Sequence, residues 1–194
     1  MADWTPLGDR AIRFPRPPRS AQAIVRAVRA WPGIVDVVVA RHDVAAYFDR
    51  LPAPTAAQIQ ALATAPEDAA AVRDVELRAR YDGPDLEHVA QALGRTIAEV
   101  CALHAAALYT VEIMGFSPGF AYMSGLPSAL ELPRRTTPRT RVPAGSLAIA
   151  GAQTAVYPFD SPGGWHLIGS VVGTRMFGPD GPLLQLGDRV RFVA

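Results

Sequence analysis

Glycine is distributed unevenly along this chain, and the imbalance divides the chain into two parts. Of the 16 glycines among 194 residues, four lie in the first 109 residues and 12 in the last 85. The glycine-poor part is rich in alanine and shows helical spacing of its apolar residues. The glycine-rich part consists of short β-prone runs separated by Gly and Pro, a pattern typical of small barrels and sandwiches. The sequence therefore predicts an α+β chain whose two domains differ in architecture.

The first part predicts the order strand, helix, strand, strand, helix, strand. Ser20 and Thr55 are the predicted N-terminal caps of the two helices. In the last strand, Val75 to Tyr81, apolar residues alternate with Glu76, Arg78 and Arg80. This order is that of a split βαβ, ferredoxin-like domain, which we predict for residues 1–82.

Residues 83–194 are predicted to form two linking helices followed by strands. The first helix runs from Asp85 to Leu93, and Thr96 with Glu99 forms a capping box at the start of the second. On that second helix a single apolar stripe is predicted, and it consists of Ile97, Val100, Cys101, His104 and Leu108. His104 is therefore expected to face inward.

Five strands are predicted beyond the second helix, with a long connection after the first. The five strands are Tyr109–Met114, Ser146–Ala150, Thr154–Tyr157, Trp165–Val171 and Arg189–Val193. About 30 residues separate the first two of them, more than the ~12 to 15 of ordinary connecting loops. This length predicts a functional loop.

Charge and composition exclude several classes of function. The 19 basic and 18 acidic residues leave a net charge of +1, which argues against nucleic-acid binding through a wide basic face. All 19 basic residues are Arg, so this chain supplies no P-loop lysine, no Schiff-base lysine and no biotinylated lysine. A single cysteine favours the reducing cytoplasm, and no apolar run reaches the ~18 residues of a membrane span.

Arginines in the glycine-rich part are candidates for binding an anion. Arg134, Arg135, Arg139 and Arg141 lie in a stretch, residues 113–159, whose one acidic residue is Glu131. Guanidinium groups bind carboxylates and phosphates bidentately. Arginines of a loop also lie on the surface or clamp loop carbonyls, and the two interpretations of this cluster stay open.

Other candidates are aromatic, amide and imidazole groups. Gly115 to Tyr122 places rings beside glycines, and Ser161 to Trp165 is a predicted turn that ends in a large ring. The amide of Gln153 can orient a substrate oxygen or bond the loop backbone. His104 is either a satisfied core histidine, the commoner case, or a general base beside the arginines.

Several ordered motifs occur together in one bacterial family. The motifs lie within Gly115–Tyr122, Pro133–Ser146, Ala150–Thr154, Tyr157–Trp165 and Gly187–Val190. By these the sequence resembles the family of 5-oxoprolinase B subunits, also called the KipI-like or allophanate hydrolase subunit 1 family. The resemblance implies an N-terminal α/β domain and a cyclophilin-like β-barrel.

The resemblance also implies an activity and partners. It implies that 5-oxoproline is opened to glutamate at the expense of ATP, used with Mg²⁺, in a complex with relatives of the A and C subunits. Relatives also form the carboxyltransferase part of urea carboxylase, and one branch inhibits a sporulation histidine kinase. These are the alternative functions, and the kinase is the alternative partner.

Roles for individual residues follow from the resemblance. Arg139 and Arg135 are expected to hold the carboxylate or phosphate of a small anionic amide substrate. Gln153 is expected to orient the amide, and His104 to shuttle a proton or hold the loop.

Further positions are expected to shape the substrate pocket. Tyr122 and Trp165 are its expected walls, and Gly119 is assigned to the same substrate site. With no Lys and no acidic cluster on the barrel, the ATP site is expected to be completed by a partner. The chain alone is expected to be inactive.

Overall fold

The computed structural model describes residues 4–50, 52, 54–67 and 72–193. The chain divides into two compact units, residues 1–71 and 72–194. Helices and sheets are both present, so the predicted α+β class is confirmed.

The first unit contains an antiparallel sheet of four strands. The strands are β1 (Thr5–Pro6), β2 (Ala11–Pro15), β3 (Ile34–Val39) and β4 (Asp43–Phe48). Their order is β1-β2-β4-β3, and the connection between β2 and β3 passes through a helix. The three longer strands thus have the split βαβ arrangement that the sequence predicts.

Two capped helices accompany this sheet. Helix α1 (Ala21–Arg29) begins where the Ser20 hydroxyl accepts a hydrogen bond from the N–H of Ala23, at 3.2 Å. Helix α2 (Ala56–Ala61) begins with a capping box between Thr55 and Gln58, and a 3₁₀ turn follows it. Both predicted caps are confirmed.

The predicted last strand of the first domain belongs to the barrel instead. Strand β5 (Asp74–Arg80) pairs with the C-terminal strand β15 (Arg189–Val193) in parallel, over five residue pairs from Arg189–Asp74 to Val193–Arg78. The assignment of this strand to residues 1–82 is therefore wrong. Its alternating pattern shows that it is a strand but carries no information about its partner, which lies more than 100 residues away. The sheet edge beside β2 is occupied by β1 instead.

The second unit contains a closed barrel of seven strands. Besides β5 and β15, its strands are β6 (Tyr109–Met114), β7 (Ala121–Ser124), β9 (Ser146–Ala150), β10 (Gln153–Val156) and β12 (His166–Val171). The strand order is β10-β7-β6-β15-β5-β12-β9, and pairing of β9 with β10 closes the barrel. Each of the five strands predicted beyond residue 108 is present, within a residue at either end.

The long connection after β6 is partly regular structure. Besides β7 it holds a 3₁₀ turn (Ser128–Leu130) and β8 (Arg139–Val142), which pairs with β11 (Ser161–Gly163). A second short hairpin consists of β13 (Phe177–Gly178) and β14 (Gly181–Pro182). The prediction of one long loop is therefore wrong, and so is that of a simple turn at Ser161. Short strands rich in Gly and Pro carry too few residues for alternation to be visible.

Two helices lie between the barrel strands β5 and β6. Helix α3 (Leu86–Ala92) follows Asp85, and α4 (Ile97–Ala106) begins with the predicted capping box of Thr96 and Glu99. On α4, Val100 and His104 are buried, whereas Ile97 is 45% exposed. Leu108, the last residue of the predicted stripe, lies beyond the end of α4 and is 38% exposed, so the stripe is confirmed at its centre but not at either end. Across the described residues, no helix is both long and apolar enough to cross a membrane.

The barrel wall is buried on both of its faces over β9, β10 and β12. Inside lie residues such as Leu147, Ile149 and Ile168, and all five residues of β9 are buried. The outer face carries a second apolar cluster that includes Ala148, Ala155 and Leu167. Covering segments therefore lie over this part of the barrel, and the candidate site is built among them.

We predict that Gly169→Ala in β12 destabilises the barrel. A Cβ atom there would lie 2.3 Å from the carbonyl oxygen of Arg80, a backbone atom on the neighbouring strand. Relieving such a clash costs about 1 to 3 kcal/mol of unfolding free energy. Urea denaturation measures it, and Gly178→Ala, whose Cβ meets nothing within 4 Å, is the control. Equal stability of the two variants would contradict the packing described.

Candidate functional site

One buried carboxylate joins three segments of the second unit. Asp85 precedes α3, and its Oδ1 accepts hydrogen bonds from Arg135 Nη1 at 2.8 Å and Arg139 Nη2 at 2.6 Å. Its Oδ2 accepts the backbone N–H of Leu167, at 2.7 Å. The Asp85 side chain is 4% exposed, so these bonds replace water almost completely. The start of α3, strand β12 and the arginine segment are thereby held together.

The two arginines are only partly satisfied by Asp85. Arg135 Nε and Arg139 Nη1 are both buried and have no hydrogen-bond partner within the described part of the chain. One carboxylate faces two guanidinium groups, which leaves one positive charge in excess. The arginine pair is thus positioned by Asp85, and the two side chains, 30% and 24% exposed, remain accessible to an anionic or carbonyl oxygen.

The Asp85 carboxyl is held ionised. Burial by itself raises its pKa, but the hydrogen bonds from Arg139 and the Leu167 N–H, together with the charges of both arginines, outweigh burial. The net effect is a pKa below the ordinary value for aspartate. The carboxylate therefore stays charged at neutral pH.

An aromatic cluster lies on the outer face of the barrel. Phe120 is its centre, with ring centroids 4.8 Å from Tyr122, 5.2 Å from Tyr157 and 5.9 Å from Trp165. Tyr122 and Trp165 also contact each other, at 5.8 Å. The guanidinium carbon of Arg134 lies 5.9 Å from the centre of the Trp165 ring, within range of a cation–π interaction. Tyr122 and Trp165 are thus brought together, as predicted for two walls of one site.

Gln153 is placed on the same side of the barrel wall. Thr154 pairs with Met123, so the next residue pair of this antiparallel ladder is Ala155 with Tyr122. Gln153 and Ala155 share a face because side chains alternate along β10. The Gln153 amide is half-buried and, among the described residues, has no hydrogen-bond partner. It is available to a ligand on this face.

Gly119 is placed next to the second short hairpin. Its φ is 78°, and a Cβ added to it would lie 2.9 Å from Phe177 Cδ2. Phe116, earlier in the same loop, also has a positive φ, 73°, and is 61% exposed. The structure therefore accounts for Gly119 through a close approach of the loop to Phe177, and the expected contact of Gly119 with substrate stays a prediction.

His104 lies inside the barrel, away from the aromatic cluster. Its Nδ1 is 2.9 Å from the Tyr81 hydroxyl and its Nε2 is 3.0 Å from Thr154 Oγ1. Thr154 Oγ1 donates its own proton to the carbonyl of Ala148, at 3.1 Å. It must therefore accept from Nε2–H, which leaves Nδ1 to accept from Tyr81. Both ring nitrogens are occupied, and burial lowers the pKa of His104 to about 3.

The candidates thus fall into three groups in space. Tyr122, Trp165 and Gln153 share the outer face of the barrel. Arg135 and Arg139 both bind Asp85. The backbone N–H of Arg135 donates to the backbone carbonyl of Gly164, the residue before Trp165. His104 belongs to the interior. Arg141, the last of the four candidate arginines, lies apart from these groups and forms a surface ion pair with Asp160.

Sequence reasoning misses Asp85 and also His166, a buried histidine whose Nε2 lies 2.9 Å from the carbonyl oxygen of Pro133, next to the arginine segment. Asp85 has the signal of a helix cap, yet its side chain makes no capping hydrogen bond and instead binds groups 50 to 82 residues away. His166 lies in a predicted strand, where nothing marks its side chain as unusual. In both cases the function of the residue depends on non-local pairing.

The described residues do not form a metal centre. They contain no cluster of three or more His, Cys, Asp or Glu side chains able to hold a metal ion. Asp85, the buried carboxylate of the site, is already engaged by two arginines. Asp85 is therefore not free to bind a cation.

Comparisons with known proteins place the chain in a family. The sequence model of the family described as carboxyltransferase domain, subdomain C and D, matches residues 5–182. A protein of Haemophilus influenzae named as the B subunit of 5-oxoprolinase is 36% identical in an alignment 205 positions long. The alignment covers 97% of this chain and 95% of that protein. The chain belongs to the 5-oxoprolinase B-subunit family.

Two further matches agree with this family assignment. The 5-oxoprolinase B subunit of Escherichia coli O157:H7 is 50% identical over 114 residues, covering 57% of this chain and 52% of that protein. The crystal structure of the protein TTHA0988 matches with a TM-score of 0.78 and 39% identity over 95% of this chain. The matched part is 39% of the TTHA0988 chain, so that polypeptide is much longer.

We predict that Asp85→Asn destabilises the second unit by about 3 to 5 kcal/mol, because it leaves two partly buried arginines without their counter-charge. Chemical denaturation at pH 7 measures the loss. Asp160→Asn is the control, because the Asp160 and Arg141 side chains are 45% and 77% exposed and such a pair contributes about 1 kcal/mol or less. A cost no larger than that of the control would contradict the role given to Asp85.

The same interaction predicts a pH dependence. Since the folded pKa of Asp85 lies below its unfolded value, its stabilisation is complete above the unfolded pKa of about 4 and is lost as pH falls through the folded pKa. The difference in unfolding free energy between wild type and Asp85→Asn should therefore shrink below about pH 4. A difference that stays constant down to about pH 2 would be the contrary result.

We predict that the His104 imidazole remains neutral at about pH 5. Its enclosure lowers the pKa to about 3, whereas an unfolded histidine titrates near about 6.5. Nitrogen-15 NMR of labelled histidines reports the protonation state directly. Protonation of His104 near its unfolded pKa would show that its ring is accessible and restore it as a candidate general base.

Proposed function

We propose that this chain is the B subunit of an ATP-dependent 5-oxoprolinase. In this role it acts with relatives of the A and C subunits to open 5-oxoproline to glutamate. The observation that carries the proposal is the match, over nearly the whole of both chains, to a protein named as the B subunit of 5-oxoprolinase. Because both units of the chain are included in it, the match is not explained by the barrel alone.

The geometry of the second unit supports a small anionic amide as the substrate. Arg135 and Arg139 carry one positive charge in excess of Asp85, and their side chains are 30% and 24% exposed, which suits a carboxylate or carbonyl oxygen. Gln153 offers an amide without a described partner, and the rings of Tyr122 and Trp165 provide apolar surface for a small ring. In this proposal these groups bind the substrate and orient it. None of them is a strong base at neutral pH.

Proton transfer by His104 receives no support from its surroundings. Its two nitrogens are bonded to Tyr81 and Thr154, and its ring is fully buried. The role that fits is structural: the hydrogen bond from His104 to Thr154 connects α4 to β10, the strand that carries Gln153. His104 acts on the site through position only.

ATP and Mg²⁺ are assigned in this proposal to a partner protein. The chain has no lysine for a phosphate, and its site carboxylate is occupied by arginines. The greater length of TTHA0988 supports the idea that further polypeptide completes the site. We accordingly propose that the chain is inactive alone and works in the cytoplasm.

A second candidate function is the carboxyltransferase reaction on a urea-like substrate. The description of the matching family model favours it, since that description names a carboxyltransferase domain. Urea is an uncharged amide, but the carboxyl group transferred to it is anionic, so the excess positive charge at the arginine pair fits both functions. The match over nearly the whole chain to a protein named as the B subunit of 5-oxoprolinase favours the first.

Reconstitution tests the proposal. The chain is purified with and without relatives of the A and C subunits, and ATP-dependent loss of 5-oxoproline is measured. Urea is tested as the alternative substrate, together with a biotin carboxylase, a biotinylated carrier protein and bicarbonate. Turnover of 5-oxoproline that requires all three proteins supports the proposal. Turnover of urea alone supports the carboxyltransferase function, and tight binding to a histidine kinase without turnover supports an inhibitor.

Within that complex we predict that Gln153→Ala lowers kcat/KM for 5-oxoproline by about tenfold or more, as expected for loss of one substrate hydrogen bond. Its melting temperature should match that of wild type, because no described protein group loses a partner. Gln185→Ala, an exposed glutamine outside the site, is the matched control. Unchanged turnover in Gln153→Ala would remove this residue from the site.

A further inference from the structure

A cleft in the second unit lies among three segments of the chain. These are the residues before β9, the residues after β10 and the loop that joins β12 to β13. The volume of the cleft is about 340 Å³, at the lower end of the range for small-molecule sites. Neither the arginine pair nor the aromatic cluster around Phe120 contributes to its lining. The cleft is therefore distinct from the candidate site.

Apolar side chains form most of the cleft wall. They are Pro158, Phe159, Val171, Met176 and Phe177. The rings of Phe159 and Phe177 contact each other with centroids 5.5 Å apart, and Phe159 is 41% exposed, so its ring is within reach of a ligand. Aromatic rings prefer edge or offset contacts with one another, and a thioether adds a favourable contact with a ring. The wall therefore suits a ligand that carries an aromatic ring.

One guanidinium group belongs to the same lining. Arg175 follows Thr174 in the loop after β12, and both residues are exposed to solvent. Arg175 has no ion pair and no hydrogen bond with any residue that the structure describes. Its charge is therefore available to an anion, which a guanidinium binds through two parallel N–H donors.

The acidic residue that follows Phe159 is engaged elsewhere. Asp160 Oδ2 accepts hydrogen bonds from Nη2 and Nε of Arg141, at 2.6 and 2.8 Å. Its Oδ1 accepts the backbone N–H of Ala144, at 2.8 Å. Both carboxylate oxygens are thus occupied, and Asp160 does not neutralise the charge of Arg175.

The combination of apolar walls and one unpaired cation restricts the class of ligand. A neutral hydrocarbon would leave the guanidinium unused, and a small polar anion would leave the phenylalanine rings in contact with water. A molecule with both an aromatic ring and a carboxylate uses both parts of the cleft. The volume of the cleft suits one such ring with a short acidic side chain.

We propose that this cleft binds a small aromatic carboxylate, with the ring against Phe159 and Phe177 and the carboxylate paired with Arg175. The proposal goes beyond the proposed function, because the ligand is a different compound from the substrate. A lactam such as 5-oxoproline carries amide groups, for which these apolar walls offer no hydrogen-bond partners.

Four compounds separate the contributions of the ligand groups. Phenylacetate has the ring and the charge, phenylacetamide has the ring without the charge, acetate has the charge without the ring, and 5-oxoproline has a polar ring with the charge. We expect each of the last three to bind about tenfold or more weakly than phenylacetate, as for loss of a charged hydrogen bond or of an apolar contact.

Binding to the full-length chain is measured by NMR of methyl-labelled methionines. The chain has four methionines, of which Met176 lines the cleft and Met123 is fully buried outside the lining. An aromatic ring that enters the cleft should shift the Met176 methyl resonance saturably and leave that of Met123 unmoved. Met176→Leu, a substitution that conserves volume, assigns the signal.

Two pairs of variants assign the contributions to side chains. Arg175→Gln should weaken phenylacetate about tenfold and leave phenylacetamide unchanged, because it removes the charge alone. Arg29→Gln, at an exposed arginine of α1 that also has no described ion pair, is its control. Phe159→Ala should weaken both compounds, whereas Phe116→Ala, at a 61% exposed ring outside the lining, should weaken neither.

Several results would overturn the proposal. They are an unmoved Met176 resonance at millimolar phenylacetate, equal affinity for phenylacetate and acetate, and unchanged affinity in Arg175→Gln. A cleft that binds no phenylacetate, but whose Arg175→Gln and Phe159→Ala variants fail to assemble with relatives of the A and C subunits, would be a protein interface instead. Because binding is measured on the chain by itself, these results do not depend on turnover of 5-oxoproline by the complex.

Discussion

The geometry of the candidate site depends on one carboxylate. Asp85 is buried at the start of α3 and holds two guanidinium groups and a backbone N–H at distances of 2.6 to 2.8 Å. An ion pair of this kind gains little over an apolar core, because its charges must be dehydrated. Its consequence is positional: the segment that carries Arg135 and Arg139 is fixed against α3 and β12. The neighbouring Trp165 is positioned through the same segment, because the backbone N–H of Arg135 donates to the carbonyl oxygen of Gly164.

The barrel wall, buried on both faces, explains how short strands serve both the core and the candidate site. In β10, Thr154 points inward to His104, while Gln153 and Ala155 point outward. Small residues on the outer face, such as Ala148 and Ala155, leave space for the aromatic rings packed there. Larger side chains at these positions would displace the rings from the wall. Because side chains alternate along the strand, neighbouring residues of β10 face either the barrel interior or the candidate binding face.

Features of local origin could be predicted from the sequence, and features of distant pairing could not. The capping box of Thr96 and Glu99 spans three residues, and the inward position of His104 follows from helical period, so both were predictable. Strand β5 was recognised, but its parallel partner lies 115 residues further on at Arg189. For the site, residue type was informative: arginines, rings and an amide were identified as candidates, yet the partner of the arginines was not. A carboxylate 50 residues away leaves no mark in the spacing of the arginines themselves.

The protonation states of the buried groups indicate what the site can do chemically. Asp85 stays ionised beside its arginines, whereas His104 and His166 are shifted by burial toward the neutral form. Arginine does not give up its proton at physiological pH, and the chain has no lysine. The described site thus offers fixed charges and hydrogen-bond donors. Because guanidinium groups bind carboxylates and phosphates alike, these groups suit the binding and orientation of an anionic ligand.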